Sequence, residues 1–193
     1  MALNATIHSF DIDLADADRG IYQSLALRVA RHPSEAEDFL VSRVLAYCLE
    51  WTEGIGFSKG LSTPDEPAIH VRDLTGRLLA WIDVGLPDAA RVHRAAKAAP
   101  RVAVYTHKDP GLLVAALSGQ RIHRAEQLAL FAFERELIDA LRARLARRVA
   151  WSVSVSGGQF YVTAGDDTIE GRIAPITLLP DDRASAAKAA PVD

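Results

Sequence analysis

Between Leu78 and Val84 the chain reads Leu-Leu-Ala-Trp-Ile-Asp-Val, nearly continuous in apolar residues. That is the pattern of a central strand covered on both faces, so the fold must place packed matter on either side of it. One residue breaks the run. Asp83 carries a carboxylate inside it, and a charge so placed is costly unless it is paired or bound to a cation.

The neighbouring sequence offers both solutions. In Ser62-Thr63-Pro64-Asp65-Glu66-Pro67, two prolines bar regular structure and set Asp65 and Glu66 at the entrance of a short strand through Ile69 and Val71. If the turn at residues 73–76 closes a hairpin, Asp65, Glu66 and Asp83 meet at one sheet end. Oxygen ligands from adjacent strands suit Mg²⁺ or Mn²⁺, and such an ion activates water and stabilises a phosphoryl transition state. The alternative is that Asp83 caps the helix that follows, or pairs with Arg91 or Arg94. From Ala89 to Lys108 there is no acidic residue, while Arg91, Arg94, Lys97, Arg101 and Lys108 all occur. Beside carboxylates such a row holds phosphates; by itself it is a solvated helix face.

Hydrophobic periodicity orders the rest. Phe10, Ile12 and Leu14, then Leu25, Leu27 and Val29, alternate about a turn at Asp18-Arg19-Gly20 and predict an N-terminal hairpin. Ser34 and Glu37 have the spacing of a reciprocal capping box. The helix they open carries Ala36, Phe39, Leu40, Val44, Tyr47, Cys48 and Trp51 on one buried face and stops near Gly54 and Gly56. Pro87-Asp88 starts a helix through Ala99, with Val92, Ala95, Ala96 and Ala99 on one side, and residues 102–106 form a strand. A short apolar helix at 111–119 precedes a strand at 128–133, where Phe131 and Phe133 alternate; one helix over 123–148 also fits. Either way 134–148 reads as helix, with Arg142, Arg144, Arg147 and Arg148 offsetting its dipole at the C-terminus. Trp151, Val153 and Val155, a Gly157-Gly158 turn, and Phe160 and Val162 predict a C-terminal β-hairpin.

With 193 residues and 49% hydrophobic content, the expectation is a single domain over 1–180 and a disordered tail at 181–193, rich in Ala, Asp and Pro. A net charge of -3 gives no global pull toward nucleic acid, so such contact needs a local basic patch. The lone Cys48 excludes an intramolecular disulfide and reads as a small buried hydrophobe. The first five residues lack a basic start and an apolar run, and no stretch is long enough to span a bilayer, so a soluble, cytoplasmic protein with no membrane partner is expected. His8, His32, His70, His93, His107 and His123 show no metal-ligand spacing; His70 and His107 fall on strands near Asp83.

The blocks Phe57-Ser58-Lys59-Gly60-Leu61-Ser62, Asp65-Glu66-Pro67, Trp81-Ile82-Asp83-Val84-Gly85 with Pro87-Asp88, and Val104-Tyr105-Thr106 fall in order. With Met1-Ala2-Leu3 and Arg31-His32-Pro33-Ser34-Glu35 they make the chain resemble the YaeQ family from its first residue to about Arg172. The resemblance implies an α/β fold with a mixed sheet, a variation on the PD-(D/E)XK endonuclease core (αβββαβ), here with an N-terminal hairpin and a C-terminal β-hairpin. It puts Pro64-Asp65 in the PD position with Glu66 beside it, and Asp83 first in the acidic-X-Lys triplet. The third place of that triplet holds Gly85 instead of lysine. Lys59 or Lys97 would have to stand in, and Arg94, where the family often has lysine, stabilises charge but is no base. The implied function is Mg²⁺- or Mn²⁺-dependent phosphodiester cleavage of nucleic acid. Asp65, Glu66 and Asp83 would be the metal ligands, Lys59 or Lys97 would lie near the water, and Arg91 and Arg94 would hold phosphate. The alternative is a protein that keeps the fold and binds nucleic acid or a protein partner without catalysis.

Overall fold

The computed structural model describes residues 5–58 and 65–178. Lys59, Pro64 and the expected tail lie outside the described residues. The elements run β1 (Thr6–Asp16), β2 (Ile21–Arg31), α1 (Glu37–Leu49), β3 (Ile55–Phe57), β4 (Ile69–Arg72), β5 (Leu78–Val84) and α2 (Ala89–Ala98). They continue with β6 (Arg101–Thr106), α3 (Pro110–Leu117), β7 (Ala129–Phe133), α4 (Arg135–Arg142), β8 (Arg148–Ser156), β9 (Gln159–Ala164) and β10 (Asp167–Pro175). All ten strands join one large, nearly closed mixed sheet in the order β2-β1-β8-β9-β10-β7-β6-β5-β4-β3. The β1/β8, β5/β6 and β6/β7 pairs are parallel and the others antiparallel.

The apolar run at Leu78–Val84 becomes a strand covered on both faces. Ala80, Ile82 and Val84 join the core that contains α1, while Trp81 packs with Ala95, Ala96 and Ala99 of the α2 region. This alternation is what period-two side chains demand, and it sends Asp83 to the α2 face. The start of α2 follows the sequence closely: Asp88 is its N-cap, and the carboxylate accepts a hydrogen bond from the Arg91 amide at 2.7 Å.

Three expectations are corrected. Helix α1 is not buried on one face: every residue from Leu40 to Cys48 is buried, because α1 is covered by α4 as well as by the sheet. Its N-cap is Ala36, with no side-chain cap, so the Ser34/Glu37 box is not formed. Residues 32–35 turn instead, the Glu35 amide donating to the His32 carbonyl at 2.8 Å, and Glu37 accepts from Arg31 at 3.1 Å. The residues around Phe131 are strand, which excludes one helix over 123–148, and α4 ends at Arg142. Of the four arginines only Arg142 lies in its last turn, and Arg148 opens β8. The C-terminal hairpin of β8 and β9 turns at Gly157-Gly158, and a third strand, β10, extends it, pairing first with β9 and then with β7 and joining the two halves of the sheet. At Gly171 a Cβ would lie 2.7 Å from Leu137 Cβ, so only glycine lets α4 pack directly on β10. No helix among the described residues is long and apolar enough to cross a membrane.

Candidate functional site

Asp83 is 3% exposed and points from β5 toward α2. Arg91, one turn into that helix, meets it in a bidentate pair: Nε donates to Oδ2 at 2.8 Å and Nη2 to Oδ1 at 2.7 Å. The same Nη2 donates to the Glu66 carbonyl at 2.7 Å, and the guanidinium lies 5.5 Å from the centre of the Trp81 ring. One arginine therefore ties together the entrance to β4, the end of β5 and the start of α2. Parallel N–H donors matched to both carboxylate oxygens form the strongest arrangement available to such a pair.

The other anticipated residues are arranged more loosely. Glu66 is half-buried and Asp65 exposed, and Arg94 and Lys97 lie exposed one turn apart on α2. Among the described residues no three His, Cys, Asp or Glu side chains form a group able to hold an ion. His70, on the same face as Trp81, touches Ser58 Oγ at 3.2 Å, and burial lowers its pKa with help from Arg72 while Glu66 opposes. Gly85 has φ +91°, a backbone conformation that side chains rarely adopt.

A second site, absent from the sequence expectations, lies on the inner face where α1 ends. Glu50, the C-cap of α1, receives Arg101 Nε at 3.0 Å, Arg101 Nη2 at 2.6 Å and the Tyr105 hydroxyl at 2.8 Å. Buried Asp16, ending β1, receives Arg19 Nε at 2.7 Å, and Arg19 donates onward to the Cys48 and Trp51 carbonyls at the helix terminus. These groups line a cleft of about 260 Å³ whose apolar wall is Leu49, Phe131, Val155 and Ile173. Tyr105 stacks on Phe131 with centroids 5.0 Å apart. Burial, then Glu50, drives the phenol pKa well above its usual value, so it stays a neutral donor. At the rim Asp18 accepts from the Gly157 and Gly158 amides at 2.7 and 3.2 Å, which lowers its pKa and keeps it charged. The local signals were single charges at strand and helix ends, and no spacing rule connects Asp16, Glu50 and Arg101.

At the opposite end of α1, Glu35 and Arg43 are buried as an ion pair 3.3 Å apart. Arg43 also donates to the Ala30 carbonyl of β2 at 2.6 Å and lies over the Phe57 ring of β3, spanning the two edge strands. Nearby His107 is 4% exposed, and burial followed by Lys108 pushes its pKa down to about 4.

A large, nearly closed mixed sheet with α1 and α4 packed in its core makes this an α/β protein. The chain belongs to the YaeQ family: the family model described as YaeQ protein matches residues 1–173. "Uncharacterized protein YaeQ" of Escherichia coli (strain K12) is 37% identical over 109 residues, 56% of this chain and 60% of that protein. The Salmonella typhi protein of the same description is 38% identical over the same length and shares. The matched stretch thus spans about three fifths of these relatives. The crystal structure of YaeQ protein from Pseudomonas syringae superposes with a TM-score of 0.80 at 30% identity, covering 90% of this chain and 96% of that one. The YaeQ protein from Xanthomonas axonopodis pv. citri gives 0.78 at 27% identity, covering 91% and 99%.

Proposed function

We propose that this chain binds the phosphate backbone of a nucleic acid on the exposed face of α2 and does not cleave it through Asp83. One observation carries the reading: both Asp83 oxygens are already taken by Arg91, so the carboxylate is neutralised without an ion. The conformation of Gly85 supports it, since the triplet's lysine position is held in a backbone state that strains any side chain. Arg94 and Lys97 supply exposed positive charge on a stretch without an acidic residue from 89 to 108. Binding of this kind is salt-dependent and nearly indifferent to sequence.

Fluorescence anisotropy with labelled single-strand and duplex oligonucleotides tests the reading. Charge reversal in Arg94→Glu with Lys97→Glu weakens binding by about tenfold or more at low salt, and the wild type leaves the oligonucleotides intact with Mg²⁺ or Mn²⁺. Equal binding by the double variant removes the α2 face from the function. Cleavage that disappears in Asp83→Asn restores the second reading, a hydrolase in which Asp65, Glu66 and Asp83 hold Mg²⁺ or Mn²⁺ with Lys97 near the water. In its favour, one guanidinium links the Glu66 backbone to Asp83, so the β4 entrance and the β5 end do come together. Calorimetry with each ion on wild type and Arg91→Ala separates the two, because a released Asp83 takes up an ion only if the other ligands converge.

A further inference from the structure

The cleft at the C-terminus of α1 plays no part in the proposed function, yet it gathers five charged groups in the mouth of a nearly closed sheet. Ligand sites recur in such mouths. Its internal charges are largely matched: Arg19 pairs with Asp16, and Arg101 pairs with Glu50. Three carboxylates (Asp16, Asp18, Glu50) face two guanidinium groups (Arg19, Arg101), which leaves one negative charge unmatched. That charge is on Asp18, whose two acceptor contacts are backbone amides rather than a cation. The negative end of the α1 dipole lies at the same place, where cations are favoured. Between Asp18 on the β1 side and Arg101 on β6, the apolar wall is Leu49, Phe131, Val155 and Ile173, with the Tyr105 ring stacked on Phe131. Apolar wall and aromatic face suit a hydrocarbon body, and the rings and Asp18 suit a positive head group.

We infer that this cleft binds a small organic cation with an apolar body, an ammonium ion carried on a ring or a short aliphatic chain. The ammonium group hydrogen-bonds to the Asp18 carboxylate at the rim, and the body lies against Phe131 and Ile173. A volume of about 260 Å³ holds a molecule of that size. An anion of the same shape meets the unmatched Asp18 charge and is rejected. Arg101 gives two of its donors, Nε and Nη2, to Glu50, which offsets its charge.

Calorimetric titration of the full chain with phenethylamine, protonated at neutral pH, and with phenylacetate as the matched anion provides the test. The expected result is heat from the amine only. Amide shifts of Gly157 and Gly158 follow the titration, because both N–H groups bond to Asp18. Asp18→Asn weakens amine binding by about fivefold, and Ile173→Lys, which brings the protein's own ammonium group into the cleft, abolishes it. The second variant decides the matter if the first disturbs the turn. Absence of binding to the wild type, equal binding of amine and anion, or full affinity in both variants overturns the assignment.

Discussion

Two bidentate arginine–carboxylate pairs flank the same parallel strands, on opposite faces, and they do different work. On the outer face Arg91 meets Asp83 from eight residues away, and the aspartate has no second side-chain donor among the described contacts. On the inner face Arg101 meets Glu50 across 51 residues, with Tyr105 as a further donor. The outer pair is a local latch, in which a buried acid depends on one cation that is itself mostly covered. The inner pair is a node: its carboxylate joins the end of α1 to β6 and tolerates loss of a single partner. Apparent similarity of geometry therefore conceals a difference in redundancy.

The comparison breaks most sharply at Arg91. Arg91→Ala leaves the buried Asp83 carboxyl without its partner and is expected to cost about 3–5 kcal/mol in urea unfolding. A loss below about 1 kcal/mol would show that water or an ion replaces the guanidinium. Arg101→Ala is expected to cost less, about 1–2 kcal/mol, because half of that side chain is already in solvent and Tyr105 continues to hold Glu50. Should the two alanine variants prove equally damaging, the distinction between latch and node is lost. Tyr105→Phe removes one neutral donor to a charged acceptor and is expected to cost about 1–2 kcal/mol, read from the same unfolding curves.

The pH dependence sharpens the picture at the other end of α1. Burial in the folded chain pushes the His107 pKa down to about 4, from the ordinary 6.5 that the unfolded chain restores. Between those limits the unfolded state binds more protons, so stability falls as pH drops from 6.5 to about 4 and this contribution is constant below. Lys108 and Arg135 oppose the imidazolium and Asp38 favours it, with burial dominant. His107→Gln is expected to flatten that part of a stability–pH profile; an unchanged slope would assign it to other groups. The smallest stability effect belongs to the exposed α2 charges. Arg94→Glu with Lys97→Glu stays within about 0.5 kcal/mol of wild type, which makes that variant a clean probe of binding.

What the sequence discloses follows from range. Period-two alternation placed both hairpins, the apolar run at Leu78–Val84 marked the strand between helices, and Asp88 marked the start of α2, because each signal is local. The Asp83–Arg91 pair was also legible as one of the alternatives, being a strand end and the first turn of the next helix. The capping box was misleading: Ser34 and Glu37 had the right spacing, but burial of Glu35 against Arg43 set the chain turning differently. β10 went unseen since its two half-buried residues, Ile169 and Ile173, are sparse among exposed ones such as Glu170 and Arg172. The inner cleft draws on β1, α1, β6, β7, β8 and β10, and no window of sequence contains it.

The parallel seam of β1 with β8, from Ser9 beside Arg148 to Asp16 beside Val155, has a consequence in time. The Asp18 carboxylate that fastens the Gly157 turn reaches across 139 residues of chain. A ribosome must therefore finish most of the protein before the first strand gains its second neighbour, and pairings of such long range are slow to form. Until then the N-terminal hairpin presents an unsatisfied edge to whatever is nearby, a template for pairing with another nascent copy. Yield in the cell should thus depend on how fast the last third of the chain is delivered.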